Sequence, residues 1–143
     1  MKNKVVLVED DNNLRKTFEE LLDIIGYDVV RSYEDGGTAY VDLHNENLEV
    51  DIILTDFFMP VMNADELINS LKSINTYRDS KYVVMTGFDI ESVYSCFPKD
   101  EGIQFLNKPW VCEIADVIKE ELNVLLEEHN LFHVSTQQCL KDA

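Results

Sequence analysis

The sequence predicts an α/β domain in which helices cover both faces of a five-stranded parallel sheet, a doubly wound (βα)5 arrangement. Two observations predict it. Short apolar runs alternate five times with amphipathic or helix-compatible stretches, several with apolar residues at spacings of three and four. The runs are rich in Val and Ile and lack a polar alternation, as expected of parallel strands buried on both faces.

Residues 5–8 (Val-Val-Leu-Val) read as the first strand, which stops at Glu9, Asp10 and Asp11. Leu14, Phe18, Leu21, Leu22 and Ile25 make one apolar stripe, predicting a helix that Gly26 ends. Residues 27–30 read as the second strand, and residues 39–43 as a shorter, weaker helix. Residues 52–55 are the third strand, ending on Asp56; after Pro60 a helix carries Leu67, Ile68, Leu71 and Ile74. Residues 82–85 form the fourth strand, ending at Thr86 and Gly87, and residues 89–97 a helix without a strong stripe. Residues 103–106 are the fifth strand, just before Lys108 and Pro109. Ile114, Val117, Ile118, Leu122 and Leu125 line the last helix. The chain divides into one domain, residues 1–129, and a C-terminal extension or linker start, residues 130–143.

Composition narrows the functions. The 28 acidic residues outnumber the 12 basic ones, for a net charge of −16. Affinity for phosphate backbones comes mainly from Lys and Arg, so direct nucleic-acid binding is disfavoured, as is an anionic membrane surface. Most of that charge reads as a solvated surface; an acid cluster built to hold a cation can coexist with it. Cys96, Cys112 and Cys139 are odd in number and show no CxxC pair, which suggests reduced thiols in a cytoplasmic protein. No stretch resembles a signal peptide, and none approaches the roughly 20 apolar residues that span a bilayer.

Glu9, Asp10, Asp56, Thr86 and Lys108 all stand at or just beyond the C-terminal ends of strands, the edge where open parallel sheets bind ligands. One such residue alone would mean little, since an Asp ending a strand is more often a turn residue or helix cap. Together they are chemically coherent. Converging carboxylates repel one another unless a cation sits between them, and hard oxygen donors suit Mg²⁺. A carboxylate is also a nucleophile toward phosphorus, and a Lys, a hydroxyl and a divalent ion would neutralise the transferring group.

The segments Val-Val-Leu-Val-Glu9-Asp10-Asp11, Thr55-Asp56-Phe57-Phe58-Met59-Pro60, Val84-Met85-Thr86-Gly87 and Phe105-Leu106-Asn107-Lys108-Pro109 together resemble the receiver domains of two-component response regulators. The likeness covers roughly residues 4–128 and extends to the spacing, thirty positions from Asp56 to Thr86 and nineteen more to Phe105. It implies a flavodoxin-like fold and a phosphorylation switch in the cytoplasm rather than a turnover enzyme. On that likeness Asp56 is the phosphoacceptor. Mg²⁺, with Mn²⁺ as a substitute, is held by Asp10, Asp56, Glu9 (mainly through water) and the main-chain carbonyl of Phe58. Lys108 pairs with the phosphoryl group, and the Lys108–Pro109 bond is cis. Thr86 and Phe105 switch on activation, changing the face made by residues 89–97, the fifth strand and the last helix. The partners implied are a sensor histidine kinase or histidine phosphotransfer protein and a downstream protein, with that same face the place for a homodimer.

This sequence departs from the family pattern at named positions. Ala64 stands where a Gly is usual, so a loop needing positive φ would be strained or reshaped there. Phe105 replaces the commoner Tyr. Phe58 and Phe88 flank the site with apolar rings, from which slow self-dephosphorylation is expected. Other residues read blandly: Trp110 as a core or helix-start anchor, His44, His129 and His133 as surface residues, Met59 as a hydrophobe beside the site. Glu120, Glu121, Glu127 and Glu128 read as a solvated helix face. Asp11 is open between helix capping and a minor metal contribution. A phosphatase resembling haloacid dehalogenases would need an Asp two positions after its nucleophile, where this chain has Phe58. No GxGxxG or P-loop is present. The surviving alternative is a degenerate receiver that binds protein without phosphorylation.

Overall fold

The computed structural model describes residues 3–87, 90–97 and 102–107. Five strands, β1 (Lys4–Val8), β2 (Asp28–Tyr33), β3 (Ile52–Asp56), β4 (Lys81–Thr86) and β5 (Ile103–Asn107), make one sheet in the order β2-β1-β3-β4-β5, every pair parallel. Described helices are α1 (Asn12–Ile24), α2 (Gly36–Glu46), α3 (Ala64–Lys72), the single turn α4 (Asn75–Arg78) and α5 (Ile90–Tyr94). The predicted fold class is the observed one. The predicted last helix and the 130–143 extension lie outside the described residues.

Period-two geometry splits each apolar run between the two faces. Val5, Leu7, Ile52, Leu54, Val83 and Met85 pack on one side with Phe18 and Leu22 of α1. Val6, Val8, Ile53, Tyr82 and Val84 pack on the other with Leu43 of α2 and Leu67, Ile68 and Leu71 of α3. At about 25 cal/mol per Å² of apolar surface removed from water, two such layers are the main favourable contribution to folding.

Helix ends follow local chemistry. Asp11 caps α1 by accepting from the N–H groups of Asn13 (2.9 Å) and Leu14 (3.0 Å). Gly26 closes it at φ 99°, while the Tyr27 N–H donates to the Leu22 carbonyl at 2.8 Å. Asp35 caps α2 through the N–H of Thr38 at 2.6 Å.

Several expectations need correction. The second strand starts at Asp28 and runs on to Tyr33, past the apolar run, because an edge strand paired only with β1 tolerates Arg31 and Ser32. Its register slips between Val5 and Val6, which face Val29 and Arg31. The second helix is shorter than the first, 11 residues against 13, but it runs well beyond residues 39–43 at both ends. Ile74 does not belong to the third helix. It precedes α4 as its cap residue, a turn that no periodicity announces. Ala64 carries no strain; it opens α3, fully buried, its N–H donating to the Phe57 carbonyl at 2.9 Å. The left-handed position in that loop is instead Val61, at φ 73°.

Candidate metal and phosphoryl site

In the order β2-β1-β3-β4-β5 the winding reverses between β1 and β3, and a crevice opens beyond the carboxyl ends of those two strands. The ladder pairs Val8 with Thr55, so the residues that follow, Glu9 and Asp56, stand side by side at the carboxyl edge of the sheet. Backbone bonds fix both. The Glu9 N–H donates to the Tyr33 carbonyl at 3.0 Å, and the Phe57 N–H donates to the Met85 carbonyl at 3.0 Å.

Glu9, Asp10 and Asp56 each offer a carboxylate oxygen to one cluster, all three atoms within 4.8 Å of one another. Glu9 is fully buried, Asp56 is 6% exposed and Asp10 faces solvent. Two full charges at that separation repel by about 3–4 kcal/mol at an effective dielectric of about 20. The arrangement therefore gains from a cation among them, and an all-oxygen donor set of mixed burial fits a hard divalent ion such as Mg²⁺. The Phe58 carbonyl follows two residues after Asp56, in the loop that leaves β3.

That loop and the one after β1 are both tied down. The Asp11 N–H donates to Glu9 Oε2 at 3.1 Å, and Arg15 Nη1 donates to the Glu9 main-chain carbonyl at 2.8 Å while Nη2 reaches Asn12 Oδ1 at 2.6 Å. Sequence reading passed over Arg15; a cation one and a half helical turns beyond an acid pair was the available signal. In the β3–α3 loop the Met59 N–H donates to Asn63 Oδ1 at 3.4 Å, and the Thr55 hydroxyl lies 3.6 Å from Met59 Sδ. Met59 is buried, as expected of a hydrophobe beside the site. Asp11 serves as a helix cap and stands outside the carboxylate cluster.

The ladder between β3 and β4 places Asp56 opposite Met85, so Thr86 ends its strand one position further on, buried at 1% exposure. Thr86 is opposite Asn107 of β5. Lys108, Pro109 and the peptide bond between them, Phe88, Trp110, Cys112, Cys139, His129 and His133 lie outside the described residues. Phe105 on β5 is partly buried against the core, and Phe58 is 49% exposed. His44 is on the surface and Cys96 is an exposed free thiol. Among the described residues no helix is long and apolar enough to cross a membrane.

Comparison with known proteins agrees with this fold. The family described as "Response regulator receiver domain" matches residues 5–121. A chemotaxis protein CheY homolog of Campylobacter jejuni is 31% identical over 123 residues, covering 86% of this chain and 92% of its own. Among solved structures, chemotaxis protein CheY4 of Vibrio cholerae superposes with a TM-score of 0.74 at 22% identity, over 90% of this chain and 98% of that one. CheY in a CheX–CheY–BeF3–Mg²⁺ complex from Borrelia burgdorferi gives 0.68 at 20% identity, over 86% and 89% of the two chains.

Proposed function

Because the chain belongs to the response regulator receiver domain family, we propose that it is a signalling switch that accepts a phosphoryl group on Asp56 and passes the change to a protein partner. The observation that carries this reading is the gathering of Glu9, Asp10 and Asp56 within 4.8 Å at the reversal of the sheet.

The donor is a phosphohistidine on a sensor kinase or phosphotransfer protein. A carboxylate oxygen of Asp56 attacks phosphorus, the new O–P bond forms as the P–N bond breaks, and the imidazole leaves with its electron pair and takes up a proton. Glu9, Asp10, Asp56 and the Phe58 carbonyl would hold Mg²⁺, or Mn²⁺ in its place, which when bound offsets the negative charge gathered on the phosphoryl oxygens. The Borrelia burgdorferi complex, which holds Mg²⁺ and BeF3, supports that choice of ion. Lys108 pairs with a phosphoryl oxygen, and the Thr86 hydroxyl donates to another. Phe105 then turns inward behind Thr86, a two-state element biased by new charge and hydrogen bonds. Phosphoryl transfer and slow self-dephosphorylation are the only chemistry in this reading; the output is docking to another protein.

The test is the mass of the intact protein after incubation with acetyl phosphate, with and without Mg²⁺. The parent gains one phosphoryl group, roughly 80 Da, only with Mg²⁺, and Asp56→Asn gains none. An equal gain in Asp56→Asn would move the acceptor elsewhere. No gain in either protein would leave the phosphorylation-independent binding module as the function.

A further inference from the structure

Five aromatic rings form one unbroken ladder that starts two residues after Asp56 and ends at Tyr94 of α5. Phe58, half exposed beside Asp56, meets Phe57 edge-on at 4.6 Å between ring centroids. Phe57 meets Phe97 at 5.9 Å, Phe97 meets Phe105 at 5.7 Å, and Phe105 meets Tyr94 at 5.4 Å, each pair steeply tilted. All four separations fall in the range where edge-to-face rings attract one another. The ends are open to solvent, Phe58 at 49% and Tyr94 at 48% exposure, while Phe57 and Phe97 in the middle are closed off at 3% and 5%.

We infer that Phe97 is the positioning residue that couples the state of Asp56 to the outward face of α5, by making the place of the Phe105 ring depend on the Phe57 ring. The inference rests on the switch reading above and goes beyond it by adding Phe97, whose ring meets both Phe57 and Phe105. Phe97 touches both partners at once. Its backbone is held at the end of α5, where the Phe97 N–H donates to the Tyr94 carbonyl at 2.9 Å and the Cys96 N–H to the Val93 carbonyl at 3.0 Å. Phe57 is pinned on both sides of its peptide, by Met85 and Ala64, one residue from the acceptor carboxylate. Phe97 is buried and in ring contact with Phe105, so a turn of Phe105 alters that contact and Phe97 repacks with it. Tyr94 shares its ring contact with Phe105, and the displacement reaches solvent there as a changed aromatic surface. Contiguity alone does not establish coupling; a two-state element biased from both ends does.

The experiment uses the whole chain, beryllofluoride with Mg²⁺ as the phosphoryl mimic, and two readouts. Fluorine NMR reports bound BeF3, and the ring resonances of Tyr94, assigned with Tyr94→Phe, report the outward face. In the parent both appear: a bound fluorine signal and a shifted Tyr94. Phe97→Leu is expected to keep the bound fluorine signal and lose most of the Tyr94 shift, while Phe97→Tyr, which restores a ring, recovers it. If Phe97→Leu fails to fold, Phe97→Met, of nearly the same volume but without a ring, carries the same expectation. A full Tyr94 shift in the ringless variants overturns the coupling. Absence of bound fluorine in the parent overturns the switch reading itself, and the two failures are thereby distinguished.

Discussion

Val61 is the one β-branched residue at positive φ among the described residues. A β-branched side chain at φ 73° is a rare geometry for any residue but Gly, Asn or Asp, and Val61 is 83% exposed, so burial offsets little of it. Two glycines explain why the loop sits there. A Cβ on Gly36 would come within 2.5 Å of the Met62 carbonyl oxygen, and one on Gly37 within 2.6 Å of Val61 Cγ1. The start of α2 is thus pared down to let the β3–α3 loop, which leaves β3 after Asp56, lie against it. A left-handed L-residue is disfavoured by about 1–2 kcal/mol, and a Gly loses about 0.5–1 kcal/mol more in folding entropy. Val61→Gly is therefore expected to stabilise the protein by about 0.5–1 kcal/mol, read as a higher urea midpoint at unchanged slope. A lower midpoint would mean that the Val61 side chain holds the loop in place. Nothing in the sequence announced this position: the family's glycine pointed to Ala64, and the turn was met three residues earlier by a residue with no preference for it.

At the scale of elements, legibility followed the number of apolar residues each one buries. The strands could be read because three of them are nearly continuous apolar runs, and α1 because Phe18 and Leu22 anchor a clear stripe. The α2 helix was underestimated because it buries only Gly36, Ala39 and Leu43. Its hold on the body comes instead from polar groups that periodicity does not report. Tyr33 donates to Asp42 of α2, and burial first, then that carboxylate, raises its pKa above the ordinary tyrosine range, so the proton stays in the bond. Tyr77 of α4, fully buried, donates to the Leu43 carbonyl and accepts from the Leu48 N–H at 3.0 Å, which staples α4 to the end of α2. The Leu43 carbonyl keeps a second donor, the Asn47 N–H at 3.0 Å, whereas the Leu48 N–H has no other partner among the described residues. Tyr77→Phe should then cost about 1–3 kcal/mol, the range for stranding a polar group away from water, measured by denaturant unfolding. A cost near zero would show that water reaches Leu48 and that the staple is dispensable. The site was more legible than these helices because its residues are defined by chemistry at strand ends, while the aromatic ladder was not, since Phe57, Phe97 and Phe105 share no spacing.

For the whole molecule, the governing quantity is a net charge of −16 on 143 residues, part of it gathered, among the described residues, at Glu9, Asp10 and Asp56. Diffuse repulsion and local repulsion respond differently to ions, and that difference can be measured. Any salt screens the surface charges, with a Debye length of about 8 Å at physiological ionic strength. A divalent ion seated among three carboxylates stabilises the folded state by mass action, by about 2.7 kcal/mol when present at 100 times its dissociation constant. In a domain of this size about 1 kcal/mol moves Tm by roughly 2–4 °C. Millimolar MgCl2 should therefore raise Tm well beyond NaCl of equal ionic strength. Asp10→Asn removes one of the mutually repelling charges and one donor together. It should melt at a higher temperature than the parent in the absence of divalent ions, and respond to MgCl2 no more than to matched NaCl. The variant melts above the parent without divalent ions and yet gains less from MgCl2 only if the three carboxylates both repel one another and hold the ion. Equal responses of the parent to MgCl2 and NaCl would reduce the acids to ordinary surface charge, and an Asp10→Asn variant that melts lower would assign Asp10 a structural bond rather than a place in a cation site.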